Sequence, residues 1–125
     1  MQESKLYLYL WQHRFWDPDQ DCLLTRVCFG ITSSPDGRIQ DYEGHVGHSV
    51  RFAGLWQGPD RVIRELEKKI KIDFDEYLFV GHLNAQYEWL DERISLDQIV
   101  SWVQWEIQDI STITTVVEPA MLQSS

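Results

Sequence analysis

The chain has 125 residues, 43% hydrophobic, with 20 acidic and 11 basic side chains and a formal net charge of −9, which fits one globular domain and argues against a disordered chain or a general phosphate-neutralising nucleic-acid binder. No apolar run is long enough to predict a membrane span, and residues 1–5 (MQESK) do not begin a signal peptide. Cys22 and Cys28 are too few for a disulfide framework and the histidines at 13, 45, 48 and 82 have no zinc spacing, so a reduced, cytoplasmic location is expected.

Residues 5–11, KLYLYLW, alternate Leu6, Leu8 and Leu10 with Tyr7, Tyr9 and Trp11, the period of a β-strand. Residues 12–22, with Pro18 and three aspartates, read as a loop or wide hairpin into a second strand at 23–31, LLTRVCFGI. Dense turn chemistry at 32–37 leads to a short helix or loop near Arg38–Tyr42. Residues 49–56, SVRFAGLW, read as a third strand. Gly58-Pro59-Asp60 opens a helix whose apolar stripe is Val62, Ile63, Leu66 and Ile70, and which runs through Lys71. An acidic loop at 73–76 and a short extended piece at 77–80 follow. Ser95-Leu-Asp-Gln98 is a capping box for a last helix over 96–110, with Leu96, Ile99, Val100, Val103, Ile107 and Ile110 on one face. The expected fold is α/β (α+β): a small three-stranded mixed or antiparallel sheet flanked by helices, one domain over 1–112, then a C-terminal arm or tail at 113–125.

Two features of this pattern point outward. Arg38, Arg51, Arg61, Arg64, Lys68, Lys69 and Lys71 concentrate positive charge in the middle of an acidic chain. On the last helix, Trp102 and Trp105 project roughly 120° and 180° from the centre of the apolar face. Either a homodimer forms through that helix, or residues 113–122 fold back as a strand or arm and cover both rings.

Hydrolysis of a phosphodiester needs a base for water, a cation for the developing charge and usually a metal on a carboxylate. Arg38, eight residues after Gly30, has the guanidinium fork that suits a phosphate, or else pairs with Asp36 or Asp41. Glu67 falls at the edge of its helix's apolar stripe, beside Ile63 and Ile70, while Glu65 points further into solvent. That edge suits a carboxylate facing a cleft; an i,i+4 pair with Lys71 is the alternative.

In order, Tyr7-Leu8-Tyr9, Val27-Cys28-Phe29-Gly30-Ile31-Thr32, Arg38, Glu67, Asn84 and Glu88-Trp89-Leu90 resemble the GIY-YIG nuclease superfamily. The likeness is to the branch whose second motif reads Val-Lys-Ile-Gly-x-Thr and in which a Glu-Trp-Phe follows the helix. The resemblance spans roughly residues 6–105 and implies a metal-dependent DNA endonuclease. In it Tyr9, or Tyr7 on the same strand face, is the general base or its relay, and Arg38 binds the scissile phosphate. Glu67 holds a single Mg²⁺ (or Mn²⁺) ion. Asn84 matches a late polar residue or caps the turn before Tyr87. Glu88 and Trp89 are structural. DNA would be held weakly and with low sequence specificity, through Arg38, Arg51, Arg64 and Lys68. Cys28 departs from the family, which carries tyrosine or lysine there; Tyr42, His45 or His48 are the residues that could fill the gap. The competing expectation is a catalytically degenerate protein of the same fold that binds another protein. Such a protein could be a phage factor aimed at a host target and located in the host cytoplasm; Cys28 and the net charge favour it.

Overall fold

The computed structural model describes residues 4–19, 21–46, 52–80, 88–90 and 93–117, with backbone alone at 13–17, 23–26, 41–46, 79–80 and 88–89. Strand β1 (Lys5–Asp17) and strand β2 (Cys22–Thr32) form a long antiparallel hairpin, in register from Asp17 opposite Cys22 to Tyr7 opposite Thr32. Asp21, at the hairpin turn, has φ of 51°, a left-handed conformation that aspartate tolerates better than most residues. Helix α1 (Pro35–Val46) follows, with proline in its first turn where no backbone donor is needed. Just before it, the Thr32 hydroxyl accepts from the Ser34 amide at 3.0 Å, and the Ser34 carbonyl accepts from the Arg38 amide at 3.0 Å.

Strand β3 (Gly54–Pro59) runs straight into helix α2 (Asp60–Asp73). Pro59 is both the strand's last residue and the helix's N-cap, with φ −59° and ψ 144°, so the junction has no loop. A 3₁₀ turn at Asp75–Tyr77 leads into strand β4 (Leu78–Val80); strand β5 is Glu88–Leu90. Helix α3 (Leu96–Ile107) begins at the expected capping box: Ser95 Oγ accepts from the Gln98 amide, and Gln98 Oε1 accepts from the Ser95 amide at 2.7 Å. Two short turns, closed by Ile110 N to Ile107 O and Ile113 N to Ile110 O, reverse the chain into strand β6 (Thr114–Val117).

The six strands make one antiparallel sheet in the order β4-β5-β2-β1-β3-β6. The expected sheet of three strands is therefore too small. Three- and four-residue strands such as β4, β5 and β6 carry almost no periodic signal, and pairing with a longer neighbour stabilises them instead. Within the expected arm or tail at 113–125, residues 114–117 fold back as a strand at the sheet edge beside β3, and 118–125 lie outside the described residues. The third strand begins at Gly54 and continues through Gly58 and Pro59, residues that read as a helix-opening turn; 49–51 lie outside the described residues.

Strand alternation sorts the core into two layers. Leu6, Leu8, Leu10, Val27, Phe29 and Trp56 face α2 and α3, and pack with Ile63, Leu66, Ile70, Ile99, Val100 and Val103. The opposite face carries Tyr9, Trp11, Cys28 and Leu55, packed by Tyr7, Phe52, Val117 and Ile39 of α1. Each large apolar side chain buried in these layers contributes about 1.5–3 kcal/mol. Helices α2 and α3 lie side by side and antiparallel. Asp73 meets Trp102, Lys69 meets Glu106, and Ile110 shares a groove with Arg61, Val62, Glu65 and Leu66, one match per turn.

Candidate functional site

Tyr9 sits in one of the two central strands of the sheet, between Gly30 on β2 and Leu55 on β3. It is 1% exposed; its ring stacks on Trp11 with centroids 4.5 Å apart and lies 6.1 Å from Phe52. Gly30 exists for this ring. A Cβ at position 30 would stand 2.7 Å from Tyr9 Cζ and 3.2 Å from Cε2, well inside contact distance. The glycine of the second motif thus makes room for the tyrosine of the first, a packing relation between adjacent strands.

Tyr7, half-buried on the same face, accepts a hydrogen bond from Gln57 Nε2 at 2.8 Å, across the β1–β3 pair. Cys28 is fully buried opposite Trp11 and contributes a small apolar side chain to the layer. Arg38 lies on the first turns of α1, half-exposed, on the helix whose Ile39 packs against the tyrosine face. Tyr7, Tyr9 and α1 are therefore gathered on one side of the sheet.

Glu67 is not on that side. Helix α2 buries Ile63, Leu66 and Ile70 against the leucine face, so the sheet separates α2 from the tyrosine layer. Glu67 lies at the edge of the α2 stripe, with its side chain 18% exposed, and its Oε1 is 3.7 Å from Lys71 Nζ. The edge position is as the helix projection predicts, but among the described residues Glu67 and Tyr9 lie on opposite faces of the sheet. Among the described residues no group of three or more His, Cys, Asp or Glu converges as a metal site.

The basic residues divide the same way. Arg64 and Lys68 are exposed on α2, across the sheet from Arg38. Arg64 Nε donates to Asp60 Oδ1 at 2.7 Å; that hydrogen bond and the carboxylate's charge hold the guanidinium pKa above its ordinary value. Arg38, Arg64 and Lys68 thus offer no common track for a duplex. Asn84, His48 and Arg51 lie outside the described residues, and Tyr42 and His45 fall on α1 where backbone alone is described.

The two tryptophans of α3 have different fates. Trp102 lies in the α2–α3 seam: its indole N–H donates to Asp73 Oδ2 at 2.8 Å and its ring meets Phe74 edge-on at 5.9 Å. It is used within the protomer and is not a free interface ring, because the antiparallel match of the helices brings the C-terminus of α2 to it. Trp105 is 71% exposed, and Ile72 on α2 is 64% exposed. Strand β6 pairs with β3 and leaves Trp105 uncovered. Arg61, Val62, Glu65, Leu66 and Lys69 of α2, with Ile110 just after α3, line an open groove of about 340 Å³.

The molecule is thus an α+β protein: an antiparallel sheet with one helix on its aromatic face and two on its leucine face. No helix among the described residues is long and apolar enough to cross a membrane. No known protein family, curated protein or solved structure matches the chain.

Proposed function

We propose that this protein acts by binding another protein, as a catalytically degenerate relative of the GIY-YIG-like arrangement its motifs resemble. One observation carries the reading: Tyr9 is sealed inside the sheet's aromatic layer, across the sheet from the helix that bears Glu67. A general base must come within hydrogen-bond reach of the proton it takes. A hydroxyl with 1% residue exposure has no such approach to a water beside a phosphate. The exposed face of α2 and α3, with Trp105 and Ile72 at its surface, is the binding surface in this reading.

A second reading, the Mg²⁺- or Mn²⁺-dependent DNA endonuclease, keeps one specific support: Tyr7, Tyr9 and the Arg38 helix share a face. It requires metal ligands other than Glu67 on that face. Supercoiled plasmid at low salt, with either metal, separates the two. The binding reading expects no nicking, and no difference among the parent, Arg38→Ala and Glu67→Ala. Nicking by the parent that disappears in Arg38→Ala overturns it.

A further inference from the structure

We propose that helix α1 is a lid: it opens away from the aromatic layer while the sheet stays folded, and so gives solvent a route to Tyr9 and Cys28. The inference is separate from the binding reading, because an open lid leaves Tyr9 across the sheet from Glu67.

The three helices are held unequally. Helix α2 buries Ile63, Leu66 and Ile70 in the leucine layer, and α3 buries Leu96, Ile99, Val100 and Val103. Over residues 35–40, where its side chains are described, α1 buries none: Asp36, Gly37 and Gln40 are exposed, and Pro35, Arg38 and Ile39 are half-buried. Of these, Ile39 is the apolar residue that joins the layer. The helix has little stability of its own to compensate. It is 12 residues long, a length at which an isolated helix is marginal even with strong helix formers. Its sequence, PDGRIQDYEGHV, has no alanine or leucine and places Gly37 and Gly44 inside the helix, where glycine is the weakest residue after proline.

What lies beneath is firmly held. Tyr9, Trp11 and Cys28 are buried, with the Trp11 ring stacked on Tyr9 and 5.5 Å from Phe52. Their strands run in continuous register with each other and are packed from the opposite face by α2 and α3. Segments of one protein open separately, each at a cost set by the buried apolar contacts it loses. By that measure the described half of α1 is the weakest attachment in either layer, so α1 can leave while the sheet and its other helices remain. The chain enters α1 through the Thr32–Ser34 turn. There the Thr32 hydroxyl donates to the Ser34 carbonyl at 3.2 Å and accepts from the Ser34 amide at 3.0 Å. Both bonds lie within the turn and survive the lid's movement, which makes the turn a hinge.

Alkylation of Cys28 by iodoacetamide, read by mass spectrometry, tests it. The half-exposed Cys22 is first removed as Cys22→Ser. Cys28 should react below the urea unfolding transition. Its rate should rise with urea less than about half as steeply as global unfolding does, because opening exposes one helix and the surface under it. Ile39→Ala loses a contact that exists only with the lid closed and should speed the reaction about 10-fold. Ile70→Val, in the leucine layer, lowers global stability but should leave the rate without urea unchanged. Urea melts of each variant verify folding. A Cys28 that reacts only with the urea dependence of global unfolding overturns the proposal. So does a rate that Ile70→Val raises in step with the lost stability, or one indifferent to Ile39→Ala. Nicking by a parent whose lid opens would sink only the binding reading; an inert Cys28 in a parent that does not nick would sink only this one.

Discussion

Gly30→Ala isolates the relation between the two strand motifs. The added Cβ would sit 2.7 Å from Tyr9 Cζ and 3.2 Å from Cε2, where carbon contacts are comfortable at ~3.5–4.0 Å. The ring must move by roughly 1 Å, and it is held by the Trp11 stack at 4.5 Å and by Phe52 at 6.1 Å. Overpacking of this kind costs about 1–3 kcal/mol. Replacing a strand glycine returns roughly 0.5–1 kcal/mol through the entropy of the unfolded chain. The net loss should be about 1–2 kcal/mol, a fall in melting temperature of about 4–8 °C for a domain of this size. Urea denaturation of four proteins reads it: parent, Gly30→Ala, Tyr9→Leu and the double variant. Tyr9→Leu alone should cost about 2–3 kcal/mol. In that background Gly30→Ala should be neutral or mildly stabilising, giving a coupling of about 1–2 kcal/mol. A Gly30→Ala cost below about 0.5 kcal/mol, or an equal cost with and without the Tyr9 ring, would refute the claim that this glycine houses the tyrosine.

Three further substitutions probe the helices. Ser95→Ala removes the side-chain half of the α3 capping box and should cost about 1 kcal/mol in chemical denaturation. Trp102→Phe keeps an aromatic ring against Phe74 but loses the 2.8 Å hydrogen bond to Asp73; a loss of about 0.5–1 kcal/mol is expected, and the same substitution in Asp73→Ala should cost nearly nothing more. Glu67→Gln removes the charge from a long i,i+4 pair with Lys71 at 3.7 Å, a pair that itself contributes less than about 0.5 kcal/mol. Calorimetric titration with Mg²⁺ should give the same heats for the Glu67→Gln variant and the parent; binding seen in the parent alone would restore Glu67 as a metal ligand.

Much of the fold is written in local chemistry. The Leu/Tyr alternation of residues 5–11, the α2 stripe and the Ser95–Gln98 box each combine a period with a start signal, and each forms where the chain indicates. Helix α1 is harder to read because PDGRIQDYEGHV offers one aliphatic residue, Ile39, before its last position and carries two glycines. Its N-terminal half is announced by turn chemistry instead. The edge strands are hidden for another reason. Leu78–Val80 and Glu88–Leu90 are too short for alternation to register, and Thr114–Val117 exists as a strand because β3 offers an unpaired edge, a fact of tertiary structure. Gly58 and Pro59 carry a strong turn signal that the context overrides. A Cβ at Gly58 would stand 3.1 Å from Ile113 and 3.4 Å from Ile63, so the glycine marks close packing as the strand enters α2.

The separation of Tyr9 from Glu67 follows from strand parity. In a β-strand successive side chains take opposite faces, so the leucines at 6, 8 and 10 and the aromatics at 7, 9 and 11 cannot share one. Helix α2 carries Ile63, Leu66 and Ile70 and must bury them against an aliphatic surface; the leucine face provides it, with Val27 and Phe29 from β2 and Trp56 from β3. Once α2 is assigned to that face, every side chain on it is carried away from the tyrosines, whatever its angle on the helix projection. The projection locates Glu67 at the stripe's edge correctly, but it specifies rotation about one axis and says nothing of which layer the helix joins. Motif order likewise runs along the chain and is indifferent to the layer. Applied to Arg38 the same reasoning gives the opposite result, because the neighbouring Ile39 joins Tyr9, Trp11 and Leu55. A carboxylate able to work with Tyr9 must come from an element on the α1 side of the sheet.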